Sequence, residues 1–195
     1  MSAVAQKIAA LFVYPDGSYA DLEGVELWTQ VGDARLYNGP YPVVAHPPCA
    51  RWSRANPNRS VIGKDGGCFR AALRSVVKYG GVLEHPASSA AWRAFGLNIP
   101  PMAGGWVNAD FHGLWTCHVE QGHFGHPAPK ATWLLARKCE LPHLPWGPSG
   151  AKGNVAKDMR SDKLRSATPP KFRDLLVSMA RSVSSIADCS GRKAA

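Results

Sequence analysis

Two short segments each end an apolar run on a residue able to do covalent or acid–base chemistry. In VVAHPPCARWS (43–53) the run closes on Pro47-Pro48 and delivers Cys49, with Arg51, Trp52 and Arg54 just beyond it. The two prolines fix the backbone and remove two N–H donors. Guanidinium charge near a thiol favours the thiolate, the nucleophilic form. A cysteine at a strand end is also commonly a small buried hydrophobe, and the segment alone leaves both readings open. In GVLEHP (81–86) three apolar or small residues lead to Glu84. A partly desolvated carboxyl at the lip of a sheet can keep a proton and donate it to a ring nitrogen. The other reading is a helix-capping or salt-bridged glutamate. A third segment, EQGHFGHPAPKATWLLA (120–136), is a Gly/Pro/His loop entering an apolar strand, with Lys130 and Thr132 on one face.

The elements that must position these residues follow from periodicity and turn chemistry. Residues 4–13 form a first strand or a short helix leading into it, VELWTQ is a second strand, and PVVAHPPC is a short buried strand bounded by prolines. A helix is predicted over 66–79. Phe69, Leu73, Val76 and Val77 share one face, and Arg70, Arg74 and Lys78 form an i, i+4 row on another. That row reads either as a phosphate-binding stripe or as a solvated helix face. Gly80-Gly81 stop the helix. GVLEHP is a strand ended by Pro86, and SSAAWRAFGL a short serine-capped helix. Residues 98–113 and 140–168 read as loop. Two strands flank the His-rich loop. A last helix starts after ATPP and runs to about 187, striped by Phe172, Leu175, Leu176, Met179, Val183 and Ile186.

Strands alternating with helices predict an α/β domain with a mainly parallel sheet. One domain is expected over 1–187, with a short insert at 140–168 and a flexible tail at 188–195. In open α/β sheets ligands bind beyond the carboxyl ends of the strands. Cys49 and Glu84 both fall at such ends, so neighbouring parallel strands would hold them on one rim.

The 195 residues carry a formal net charge of +9. That balance favours an anionic partner, nucleic acid first. Seven tryptophans can fill a core or stack on bases. No apolar run of about 18 residues occurs, so no membrane span is expected. The N-terminus shows no secretory pattern, and a soluble cytoplasmic protein is expected. Five cysteines at irregular spacing do not make a disulfide framework. His112, Cys117, His118, His123, His126, Cys139 and His143 are dense in one region, yet match no common zinc spacing, so no metal is expected. His123 and His126 are expected to line the loop beside the site.

These pieces, in this order, resemble the DNA cytosine carbon-5 methyltransferases. That family has a Pro-Cys motif ending a strand and followed by Gln, then an aromatic residue and Ser. PPCARWS is similar in Pro48, Cys49 and Ser53, with Ala50 in place of Gln. LEHP keeps the Glu of the family's Glu-Asn-Val motif as Glu84. FGHPAPKATWLL resembles the Tyr-Gly-x-Pro-Gln-x-Arg-x-Arg segment, with Lys130 and Thr132 in place of its arginines. RSATPPKFRDLL resembles the segment that opens the helix closing the cofactor pocket.

The resemblance covers roughly residues 33–187. It implies a Rossmann-like S-adenosylmethionine-dependent methyltransferase fold. Cys49 would attack carbon 6 of a pyrimidine, and Glu84 would hold or protonate ring nitrogen 3. Lys130 would complete the catalytic set. Carbon 5 would then accept a one-carbon group. The base must be flipped or single-stranded. Arg51, Arg54, Arg59, Arg70 and Arg74 would hold DNA phosphates. Phe12, Gly17, Asp33 and Thr168 would line the cofactor pocket, although the Gly-rich turn is reduced to ALFVYPDGSY. The target-recognition region is short, so specificity is expected to be low or supplied by a partner such as a host protein. Small proteins of this pattern are associated with bacteriophages. The same resemblance leaves open a fold that only binds DNA or a host protein, or an enzyme using another donor.

Overall fold

Ile8–Leu11 (β1) and Val43–Ala45 (β3) are buried along their whole length, as central strands covered on both faces must be. They sit side by side in a computed structural model that describes residues 6–53, 64–110, 113–154 and 167–183. Val25–Trp28 (β2) flanks β1 at one edge. On the other side β3 pairs with Gly81–Pro86 (β4), which is followed by Ala131–Arg137 (β7), Trp115–Glu120 (β6) and the two-residue Val107–Asn108 (β5). Among the described residues the strand order is β2-β1-β3-β4-β7-β6-β5.

The sheet is mixed, which corrects the expectation of a mainly parallel one. β1 runs parallel to β2 and β3, and β3 to β4, whereas the β4–β7, β6–β7 and β5–β6 pairs are antiparallel. The reason is the connection. β6 and β7 are joined by the short 121–130 loop without a crossover helix, and such a loop returns the chain antiparallel. Because β7 enters from the rim where β4 ends, Lys130 and Thr132 at its start meet Glu84 near the end of β4. A two-residue strand also lies within a stretch read as loop.

Alternation along the central strands divides the core into two layers. Ala9, Leu11, Val43, Ala45, Leu83 and Leu135 face the helix Cys68–Tyr79 (α1) and the short helix Ala90–Ala94 (α2), packing on Phe69, Val76 and Trp92. Ile8, Ala10, Val44, Val82, Leu134 and Ala136 face the helix Pro170–Arg181 (α3), packing on Phe172, Leu176 and Met179. Ser89 caps α2 through the amide of Ala91, at 3.1 Å. Pro170 opens α3, where its missing N–H leaves no intrahelical bond unmade. Ile186 and the end expected at 187 lie outside the described residues, as does the tail at 188–195. Gly81, with φ 110°, lies so close to β3 that a Cβ would sit 2.0 Å from the Val43 carbonyl oxygen, so only glycine allows the β3–β4 approach. None of the described helices is long and apolar enough to cross a membrane.

Candidate active site

The rim of the sheet on the α3 side carries a buried polar network built around Glu84. β3 and β4 are parallel neighbours with Ala45 opposite Leu83, so the residues one step on, His46 and Glu84, stand side by side. The His46 Nδ1 lies 3.0 Å from Glu84 Oε2, and the Tyr19 hydroxyl lies 2.8 Å from His46 Nε2. Gln121 Nε2 donates to Glu84 Oε1 at 3.2 Å and to Thr132 Oγ1 at 3.0 Å. Tyr19, Gln121 and Thr132 are buried, and the Glu84 side chain is 13% exposed. A carboxylate ringed by donors in this way is held ionised. Burial opposes ionisation, but the hydrogen bond and charge of His46, with Lys130 beyond, outweigh it and keep the Glu84 carboxyl below its ordinary value. Of the two readings of Glu84, the ion pair with His46 favours the salt-bridged one. Burial, then the Glu84 charge, push the Tyr19 phenol well up, so it stays a neutral hydroxyl.

Cys49 lies three residues beyond His46, half-buried and in no disulfide. Its carbonyl accepts the backbone amides of Trp52 and Ser53, both at 2.9 Å, which turns the chain sharply after the sulfur. Trp52 points inward. It is fully buried against Phe69 and Phe95, and its Nε1 donates to Asp65 Oδ2 at 3.0 Å. The aromatic ring beside Cys49 is thus an anchor for the loop and not a stacking surface for a base.

Lys130 links the two candidate groups. Its Nζ donates to the Ala167 carbonyl at 2.7 Å, and its charge is felt by both Glu84 and Cys49. Burial lowers its pKa, and those two groups oppose the shift. Its backbone sits at φ 44°, a left-handed conformation that non-glycine residues adopt at a cost and that clusters at functional sites. Cys49 and Glu84, separate in sequence, thus both lie within electrostatic reach of Lys130. His126 is buried in the same loop. With Gly125, Pro127 and Ala167–Pro170 it lines a cavity of about 300 Å³ beside Lys130. His123 Nε2 lies 2.9 Å from the Gly147 carbonyl.

The remaining assignments divide. Arg51 is exposed directly after Cys49. Arg54 and Arg59 lie outside the described residues. Arg70 and Arg74 are exposed on α1, in the layer opposite the Glu84 network, and Arg74 Nη2 donates to the Arg35 carbonyl at 2.7 Å. Lys78 Nζ donates to Asn38 Oδ1 at 3.1 Å, so part of the basic row ties α1 to the loop before β3.

The residues assigned to S-adenosylmethionine do not line one cavity together. Both Asp33 carboxylate oxygens accept from the Arg35 guanidinium at 2.8 Å. Gly17 closes a tight turn on the Tyr14 carbonyl, where even a Cβ would approach to 3.1 Å. Phe12, at φ 60°, is partly buried against the α1-side core, and Thr168 is 9% exposed. Thr168 lines the cavity beside Lys130, which neither Phe12, Gly17 nor Asp33 lines.

Three network members escape a reading of the sequence. His46 carried a signal. It continues the alternation of Val44 onto the same face and stands three residues before the candidate nucleophile. Tyr19 and Gln121 carried none, because nothing local ties them to partners 27 and 37 residues away. Among the described residues no group of three His, Cys, Asp or Glu side chains is placed to hold a metal. Cys117 and Cys139 are buried, and burial pushes the Cys139 thiol up to about 12. The chain matches no model of a known protein family and none of the curated proteins.

Proposed function

We propose that the protein is a small DNA-modifying enzyme whose chemistry is that of the cytosine carbon-5 methyltransferases, with Cys49 as nucleophile and Glu84 as the group that holds ring nitrogen 3. The observation that supports this reading is that Lys130 feels the charge of both Cys49, four residues beyond β3, and Glu84, on the adjacent parallel strand β4. A Rossmann-like architecture is supported by the parallel half β2-β1-β3-β4, whose order reverses between β1 and β3. Ligands of such sheets bind at that reversal. The Cys49 thiolate adds to carbon 6, and the ring's electron pair moves toward carbon 5. Glu84 and the hydrogen bonds behind it hold the ring in place, while Arg51 and Arg70 engage phosphates of an unpaired strand. The proposal ends at activation of the base and assigns no donor, because the residues assigned to the cofactor do not line one cavity together.

Exchange of the carbon-5 hydrogen tests this without any donor. Attack at carbon 6 lets carbon 5 take deuterium from solvent, lose its original hydrogen and expel the thiolate. A single-stranded oligodeoxynucleotide containing cytosine, incubated with the protein in heavy water, should gain one mass unit per reactive base. Cys49→Ser should abolish the gain. No exchange with the wild type, or the same exchange with Cys49→Ser, overturns the reading. The engagement of Asp33 by Arg35 favours a second reading, a DNA-binding protein without catalysis. It requires Cys49→Ala to keep full DNA affinity, falling steeply with salt, and no exchange at any pH.

A further inference from the structure

His46 does more than occupy space beside Glu84. Its ring bridges two buried oxygens, Glu84 Oε2 on one nitrogen and the Tyr19 hydroxyl on the other, at 3.0 and 2.8 Å. The Glu84 side chain is 13% exposed and that of His46 14%, so water has little access to the pair. Such a chain has two ends with different chemistry. Glu84 feels the charge of Lys130, which Cys49 also feels, whereas Tyr19 is 2% exposed, in the core layer under α3.

We propose that His46, backed by Tyr19, is the proton reservoir for Glu84. His46 has this role only if Cys49 and Glu84 activate a base as proposed above. As the thiolate adds to carbon 6, the ring nitrogen held by Glu84 becomes basic. The Nδ1–H bond of a His46 imidazolium then breaks, its proton passes to Glu84 Oε2, and from that oxygen to the ring nitrogen. The charges balance: thiolate and imidazolium are consumed together, giving a neutral adduct and a neutral imidazole, and Glu84 ends as it began. The imidazole that remains carries its hydrogen on Nε2, and the Tyr19 oxygen accepts it. Tyr19 thereby stabilises both the imidazolium and the tautomer left behind. Gln121 holds the other carboxylate oxygen, so Oε2 is the one that moves the proton.

The charged and titratable groups around this chain come from every neighbouring element. They are Cys49 beyond β3, His85 on β4, Lys130 before β7, and Arg173 and Asp174 on α3. Loss of exchange through His46 must be separated from a change at Cys49, which iodoacetamide alkylation reports independently.

The test is the rate of carbon-5 exchange in the same oligodeoxynucleotide, with iodoacetamide alkylation of Cys49 read alongside. In His46→Asn the amide can still donate to Glu84 and hold it, but has no proton to transfer. Exchange should fall about 100-fold, the lower end for general acid catalysis, while Cys49 alkylates at the wild-type rate. Tyr19→Phe removes the acceptor for Nε2–H and should lower exchange by a smaller factor. A wild-type exchange rate in His46→Asn would reduce His46 to a positioning residue and overturn the proposal. If His46→Asn does not fold, a wild-type rate in Tyr19→Phe overturns it instead. Absence of exchange in the wild type strikes the parent reading, a result distinct from either.

Discussion

Glu84 and His85 are consecutive on β4, yet live in opposite environments. Glu84 faces the α3 layer, and donors from His46 and Gln121 surround its carboxylate. His85 faces the α1 layer, 1% exposed, between Phe69 edge-on at 5.3 Å and Trp92 stacked at 6.3 Å. Neither His85 nitrogen has a hydrogen-bond partner among the described residues. Strand alternation sends adjacent side chains to opposite faces, so one residue of register separates a satisfied carboxylate from an aromatic box. The burial that Glu84 overcomes through partners prevails at His85 over the opposing charge of Glu84 and drives its pKa down to about 4. Partners, more than depth, decide whether a buried group is charged.

The largest expected effect breaks the polar side of this comparison. Glu84→Gln removes the carboxylate that holds ring nitrogen 3 and receives the His46 proton. Carbon-5 exchange should fall by about 1,000-fold, within the range for loss of a general acid–base group. Rates comparable to wild type would disconnect Glu84 from the chemistry.

The next effect sharpens the comparison by separating the two residues in pH. His85 is neutral in the folded protein, with a pKa near 4 against an ordinary 6.5. Between those values the unfolded chain binds a proton that the folded chain refuses. Stability therefore falls as pH drops from 6.5 to 4, by about 3 kcal/mol from this group. Glu84 is shifted in the same direction but acts in a lower pH window. Its stabilisation is complete above the unfolded carboxyl value of about 4.3 and is lost as pH falls below it. Denaturant titrations should show His85→Phe losing the slope between pH 6.5 and 4 while keeping the loss below about 4. An unchanged slope in that variant would show that His85 is not the acid-sensitive group.

The smallest effect probes the support behind the carboxylate. Thr132→Val leaves Gln121 Nε2 without one of its two acceptors in a fully buried setting. A loss of about 1–3 kcal/mol is expected in equilibrium unfolding, the penalty for an unsatisfied buried donor. No loss would mean that Gln121 finds another partner.

The basic helix face and the polar rim show how far local patterns reach. The apolar stripe of α1 located that helix to within two residues at its start, and Ser89 and Pro170 marked the starts of α2 and α3. The same periodicity placed Arg70, Arg74 and Lys78 in a row. It could not show that Arg74 and Lys78 reach Arg35 and Asn38, 39 and 40 residues away. Trp52 was legible as an aromatic ring beside Cys49, but not as a core residue anchored by Asp65. The direction in which the ring points depends on helix α1 folding over it.

The sequence by itself determined where most apolar strands and helices lie, and that Glu84 falls near a strand end, whereas β3 stops at Ala45, four residues short of Cys49. Those features follow from period, proline and glycine within a few residues of each position. Only the tertiary structure decided that β7 runs antiparallel to β4, which carries Lys130 and Thr132 to the rim where Glu84 waits. It also decided that the Glu84 carboxyl is held below its ordinary value, because its partners come from just beyond β3 and from the loop after β6. Hydrogen bonds between residues this distant depend on strand order and pairing direction, and neither is encoded in any one segment.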